Sequence, residues 1–144
     1  MRYENIINGI LVNSHSLKET ERVRKRLTAR DIPTGRRDAI LSSLQRAKGK
    51  VEIVYLSDSE TLVFAQRLGK IIREAGWETT EQGAMGFGAI IGLRIEIHDE
   101  KTSPVYTSIL KQALELAFEN VAIRTTPSTP EGGLRLIVGS KPAD

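Results

Sequence analysis

KVEIVYLSDSETLVFAQRLGKIIREAGW, residues Lys50 to Trp77, reads as one buried strand, one capped helix and a glycine stop. Val51, Ile53, Val54, Tyr55 and Leu56 are interrupted only by Glu52. A nearly continuous apolar run of this length suits a strand covered on both faces. Ser57 and Glu60 then stand at capping-box spacing, and Asp58 and Glu60 suit the positive end of a helix dipole. Phe64, Leu68, Ile71 and Ala75 recur at helical spacing, widened by Ala65 and Ile72, while Gln66, Arg67, Lys70, Arg73 and Glu74 take the wet side. Gly69 lowers helix propensity and so marks a close helix–sheet approach. Gly76 is a natural C′ residue, and Trp77 opens the next extended segment.

Downstream the pattern returns. Trp77 to Gln82 alternates as a strand. Leu93 to His98 alternates apolar and polar, the mark of a strand with one wet face. Ser103 and Pro104 predict the start of a second helix, with serine as N-cap and proline at N1. Tyr106, Ile109, Leu110, Ala113, Leu114 and Ala117 form its apolar face. Asn120 suits a left-handed helix end. Val121 to Arg124 reads as a short strand, Thr125 to Gly133 as a loop, and Leu134 to Val138 as a closing strand. Val51-Glu52-Ile53-Val54 and Ile95-Glu96-Ile97-His98 form a weak internal repeat at an offset of 44. Two βαβ-like units and a closing strand predict an α/β two-layer sandwich of the α+β kind with a mixed sheet. A ferredoxin-like arrangement and a small, mostly parallel sheet both satisfy the pattern. The wet face of the second unit places the helices mainly on one side, with a helix over 36–48 available for part of the other.

Upstream, residues 1–15 read as a short strand or arm. Ser16 to Arg30 reads as a charged helix with thin apolar content, Leu17, Val23 and Leu27. Pro33 biases Ile32 away from helical angles and breaks the segment. Thr34 is placed to cap a helix over Arg36 to Lys48, whose face is Ile40, Leu41, Leu44 and Ala47. The expected organisation is a basic arm and helix over 1–31 and one α/β domain over 32–144.

The chain has 144 residues, the size of one domain, and buries about 70% of its unfolded surface without a covalent staple. It has no cysteine, which excludes disulfide and thiolate chemistry and fits a reducing cytosol or an envelope compartment. No run of 18 apolar residues is present, so the expectation is a soluble chain or the soluble part of a longer membrane protein. The net charge of +3 hides an asymmetry. Residues 1–50 carry 12 Lys/Arg against 5 Asp/Glu, a balance of +7, and residues 51–144 carry 9 against 13, a balance of −4. Such a basic third suits an anionic partner, membrane headgroups or nucleic acid, or simply a solvated helical face.

Chemistry-bearing constellations are few. The loop Gly83 to Gly92 holds four glycines but neither a phosphate-binding Gly-Lys-Ser/Thr nor a helix opening after it, so no cofactor is expected. Met85, Phe87, Ile90 and Ile91 make it unusually apolar, a candidate contact surface for a partner, a membrane or a second copy. His98 stands beside Asp99 and Glu100, but His15 lies far off in the arm; a strand-end histidine is the expectation, with no metal. No base stands near Ser57 or Ser59, so nucleophilic catalysis is not expected. Were the strands parallel, Ser57, Ser59, Ser103 and Lys141 would gather at one sheet edge as a weak anion site; in a ferredoxin-like sheet they would part.

Residues about 27–142 resemble the soluble C-terminal domains of small uncharacterised bacterial inner-membrane proteins. The resemblance is carried by Arg37-Asp38-Ala39-Ile40-Leu41, by VEIVYLSDSETLVFAQRL with its Ala75-Gly76-Trp77 ending, by Gly92-Leu93-Arg94-Ile95, by the Pro104 helix, and by Leu136 to Pro142. It implies a membrane-tethered sensor-like or interaction module with no known catalytic residues.

The expectation from sequence is therefore a binding or interaction domain rather than an enzyme, associated with a bacterial inner membrane. Its partner would be a protein, a second copy or an anionic membrane surface. The alternative is a nucleic-acid-binding module using Arg22, Lys25, Arg26, Arg30, Arg36 and Arg37. It lacks an aromatic stacking platform for single strands.

Overall fold

The structure is a computed structural model and describes residues 30–84 and 90–142. Its elements are α1 (Thr34–Leu44), β1 (Lys50–Leu56), α2 (Ser59–Glu74), β2 (Glu78–Ala84), β3 (Leu93–Ile97), α3 (Thr107–Glu115), β4 (Ala122–Thr125) and β5 (Leu134–Val138). The five strands form one sheet in the order β2-β1-β5-β3-β4. β1 pairs in parallel with β2 and β5, and β3 with β4. Only β3 and β5 run antiparallel.

The sheet is the small, mostly parallel one of the two arrangements the sequence left open, with three parallel pairings and a single antiparallel seam. Each βαβ unit is internally parallel with its strands adjacent, and the units run in opposite senses. β5 lies between them and joins them. A half-turn about an axis normal to the sheet relates two such units. A right-handed crossover therefore sets both helices on the same face. In a wholly parallel sheet, units growing outward in opposite directions would set them on opposite faces.

The core follows from this one-sidedness. Val51, Ile53, Leu93, Ile95, Ile97, Leu134, Leu136 and Val138 face the helices and form one cluster with Phe64, Leu68, Ile72, Leu110 and Leu114. α1 belongs to the same layer, which corrects its expected place on the far face. Its Ile40 and Leu44 are fully buried in that cluster, and the Trp77 indole N–H donates to the Leu44 carbonyl at 2.8 Å. Arg37 pairs with Glu74 of α2, and Arg46 in the turn after α1 donates to Gln112 of α3 at 2.8 Å, so α1 and that turn bridge the two crossover helices. Edge-to-face ring pairs Phe64–Phe118 and Trp77–Tyr106, with centroids 5.4 and 5.1 Å apart, tie α2 and the start of β2 to the two ends of α3.

Helix ends depart from the sequence reading in detail. α1 spans 34–44 rather than 36–48; Thr34 is its first helical residue, and Pro33 is its N-cap without a side-chain bond. The N-cap of α2 is Asp58, whose carboxylate accepts from the Thr61 N–H at 2.9 Å. Ser57 instead donates to the Ala84 carbonyl at the end of β2, and Glu60 turns to Arg30, so no capping box forms. α3 begins at Thr107, after a turn that uses Ser103 as a donor to the Thr107 hydroxyl at 3.1 Å rather than as N-cap. Gly76 (φ 94°) and Asn120 (φ 59°) adopt the left-handed conformation expected of them. A Cβ at Gly69 would run into the Glu81 carboxylate of β2, the close helix–sheet approach that its place in the helix signalled.

The first and basic third is described only from Arg30 onward. Arg30 is not a free arm residue. Its backbone N–H and Nε donate to Glu60 Oε2 at 2.9 and 2.8 Å, and its Nη2 donates to Glu60 Oε1 and to the Gly139 carbonyl, both at 2.8 Å. The guanidinium lies 4.1 Å from the Phe64 ring centroid. The packed domain thus includes Arg30, two residues before the boundary expected at 32.

Candidate binding face

Because both crossover helices occupy one face, the other has no described helix over it. Alternation along the strands decides what that face carries. β1 contributes Glu52 and Val54, β5 contributes Arg135 and Ile137, and β3 contributes Arg94 and Glu96. Register then assembles a row across the sheet: Thr80, Glu52, Arg135, Glu96 and Arg124, one from each strand. Glu52 and Glu96 are the equivalent positions of the 44-residue repeat, and both are in register with Arg135. The pseudo-two-fold relation of the units therefore brings two copies of one glutamate to a single arginine.

The ion pairs follow that row. Arg135 Nε donates to Glu52 Oε1 at 3.0 Å, and its Nη1 lies 3.9 Å from Glu96 Oε1. Glu96 Oε2 is also 3.2 Å from Arg94 Nη2. Two guanidinium and two carboxylate groups thus balance in charge, with Glu96 shared between two arginines. Among the described residues, buried Arg94 Nε has no acceptor. Buried polar groups without a partner are uncommon in folded proteins, so this one is a marker.

Beside the row lies a cleft of about 340 Å³. Val54 and Ile137 give it an apolar floor; they are only 7% and 2% exposed although no described helix covers them. Gln82, Ser128 and Ile90 complete its rim. Ile90 is held there by the segment that follows β5, since its carbonyl accepts from the Ser140 N–H at 2.9 Å. A Cβ on Gly139 would strike that same carbonyl, so glycine is what allows the approach.

The sequence-predicted residues fall in several places. Ile90 lines the cleft and Ile91 beside it is 64% exposed, while Met85 and Phe87 lie outside the described residues. Arg22, Lys25 and Arg26 also lie outside them. Arg36 and Arg37 are on α1, Arg36 donating to the Leu116 carbonyl at 3.4 Å and Arg37 paired with Glu74. Arg30 is buried in its pair with Glu60, so as a residue open to an anionic partner it is withdrawn. Ser57, Ser59 and Lys141 share the edge where β1 and β5 end. Ser103 follows β3, which runs the other way and ends at the opposite edge. The four do not converge.

The His98–Asp99 pair has a local role. A carbonyl only accepts, so the 2.9 Å contact from His98 Nδ1 to the Thr129 oxygen sets the proton on Nδ1 and fastens the 126–133 loop to the end of β3. Asp99 accepts from the Thr102 N–H at 2.8 Å and from the Thr102 hydroxyl at 2.9 Å. These bonds hold its carboxyl below the usual carboxylate range, chiefly through the Thr102 backbone N–H and then its hydroxyl. Among the described residues no three His, Asp or Glu side chains gather as a metal site, and no helix is long and apolar enough to cross a membrane.

Apart from Ile90, sequence reasoning missed the residues of the cleft. The signal was present in two forms: a glutamate at the same place in both repeats, and an arginine second in both Leu93-Arg94-Ile95 and Leu134-Arg135-Leu136. Charges alternating with core residues looked like a wet face, and their convergence needed the strand order. Comparisons with family models, with curated proteins and with solved structures found no match.

Proposed function

We propose that the chain is a non-enzymatic binding domain whose partner docks on the face of the sheet away from the described helices. The observation that carries this reading is the cleft on that face, with its apolar floor and its charged row. Ligand sites combine an apolar lining with a few placed polar groups in this way. The exposed Ile91 at its margin extends the surface. The basic first third and the resemblance to inner-membrane proteins support a place at a bacterial membrane, with that third facing anionic headgroups.

The face is tested by placing a photo-crosslinking residue at Gln82, on the cleft rim, or at Lys70, exposed on α2, in a bacterial host. Discrete adducts from position 82 and none from position 70 are expected. Equal adducts from both, or none from either, would sink the reading. The membrane part is tested by flotation with phosphatidylglycerol vesicles. Co-flotation at low salt that is lost at high salt is expected, and no co-flotation at low salt removes that part.

A further inference from the structure

We propose that the outer edge of β4 takes up an extended peptide as a further strand, one with a basic side chain two residues before an apolar one. This surface lies apart from the cleft and does not depend on it. β4 ends the sheet, and no described strand pairs with its outer side. The Thr126 N–H donates to the Ile97 carbonyl at 2.9 Å, so Ala122, Arg124 and Thr126 turn their backbone groups to β3. Backbone groups alternate in direction along a strand, so Ile123 and Thr125 present theirs outward. All four residues of the strand are exposed, Ile123 at 38%. Edge strands are commonly blunted by charge. β2 at the other edge carries Glu78 and Glu81, whereas β4 offers Ile123 and a single arginine on the opposite face.

Beside that edge, on the helix side of the sheet, lies a groove of about 510 Å³. Ile97, Ile123 and Thr125 form its floor, and Pro104 and Val105, just ahead of α3, form its wall. Val105 is 93% exposed. Area decides the occupant. Nine residues line the groove, against the roughly 20–30 that a stable interface places on each side. The surface thus fits one extended segment rather than a second copy of the domain. In strand addition the backbone supplies affinity and the groove selects side chains. Added antiparallel, the residue opposite Ile123 exchanges two backbone bonds with it and sets its side chain beside Ile123 and Val105, which favours an apolar one. The residue opposite Thr125 comes two positions earlier. Of the described residues on the lining Glu100 alone is charged, and it follows the end of β3, where Ile97 stands in register with Thr125. A lysine or arginine at that peptide position complements it.

The probe is the capped heptapeptide Thr-Lys-Thr-Val-Thr-Lys-Thr, titrated into the full chain at low salt and followed by NMR. Saturable shifts are expected at the Ile123 and Thr125 N–H groups and at the Val105 methyls, with the Val54 and Ile137 methyls unmoved. N-methylation of the peptide's valine removes its donor to the Ile123 carbonyl and should weaken binding about tenfold. Glutamate in place of both lysines should weaken it about threefold, and Glu100→Gln should abolish that preference. Strand addition is overturned by no saturable shift, by shifts centred on Val54 and Ile137 instead, or by an N-methylated peptide that binds equally well. Equal binding of the lysine and glutamate peptides, or a preference that survives Glu100→Gln, overturns the basic residue.

Discussion

The clearest single residue is Arg30, the first of the described residues. Its side chain is 11% exposed and that of Glu60 is 9% exposed, so the pair is largely out of water. Removing one member of a buried pair strands the other charge. Arg30→Ala is therefore expected to destabilise the fold by about 3 kcal/mol, read as a lower urea midpoint. Replacing both Arg30 and Glu60 with methionine should recover most of that loss, because no unpaired charge remains. If the double variant is as unstable as Arg30→Ala, the pair's charge is not the reason. Asp99 gives the pH dependence. Its carboxyl is held below its ordinary value of 3.8 by the Thr102 bonds. The stabilisation it contributes is complete above that ordinary value and is lost as pH falls through the depressed one. The Asp99 carboxyl carbon should titrate below pH 3.8 in the wild type, and Thr102→Val should move that titration upward.

Among the elements, α2 shows how a cap is chosen. Ser57, Asp58 and Ser59 all have the chemistry of an N-cap. Asp58 alone holds the extended backbone just before the first helical residue, with φ −117° and ψ 162°. Ser57 is one residue too early and is recruited to the end of β2, because β1 and β2 finish side by side. Asp58→Ala should cost about 1 kcal/mol in thermal or urea unfolding, and Ser57→Ala clearly less. Equal costs would restore the capping box. β3 shows the opposite case, an element read correctly for the right reason. Its alternation of Leu93, Ile95 and Ile97 with Arg94 and Glu96 puts one set in the core and the other on the open face. β1 looked covered on both faces; its Val51 and Ile53 lie under the described helices, and Val54 on the other face is also buried and lines the cleft.

For the whole molecule, β5 is the organising strand. It pairs with β1 on one side and β3 on the other, and no pairing joins the two βαβ units directly. A chain ending before Leu134 is expected to lose the cooperative unfolding transition, seen as a flattened Trp77 fluorescence curve in urea. A sharp transition in that truncated chain would show that helix–helix contacts alone hold the units together. What the amino-acid order determined by itself was local: the two βα units and their repeat, the helix faces, the left-handed stops at Gly76 and Asn120, the wet side of β3. Each depends on residues within about four positions, so periodicity and backbone preference suffice to read it. Tertiary structure alone decided the antiparallel seam between β3 and β5, and with it the placing of the described helices on one face. It also decided the burial of Arg30 and the meeting of Glu52, Arg135, Glu96 and Arg94. These join residues up to 109 positions apart, as between Arg30 and Gly139. Strand order and sense set such contacts, and no local preference encodes them.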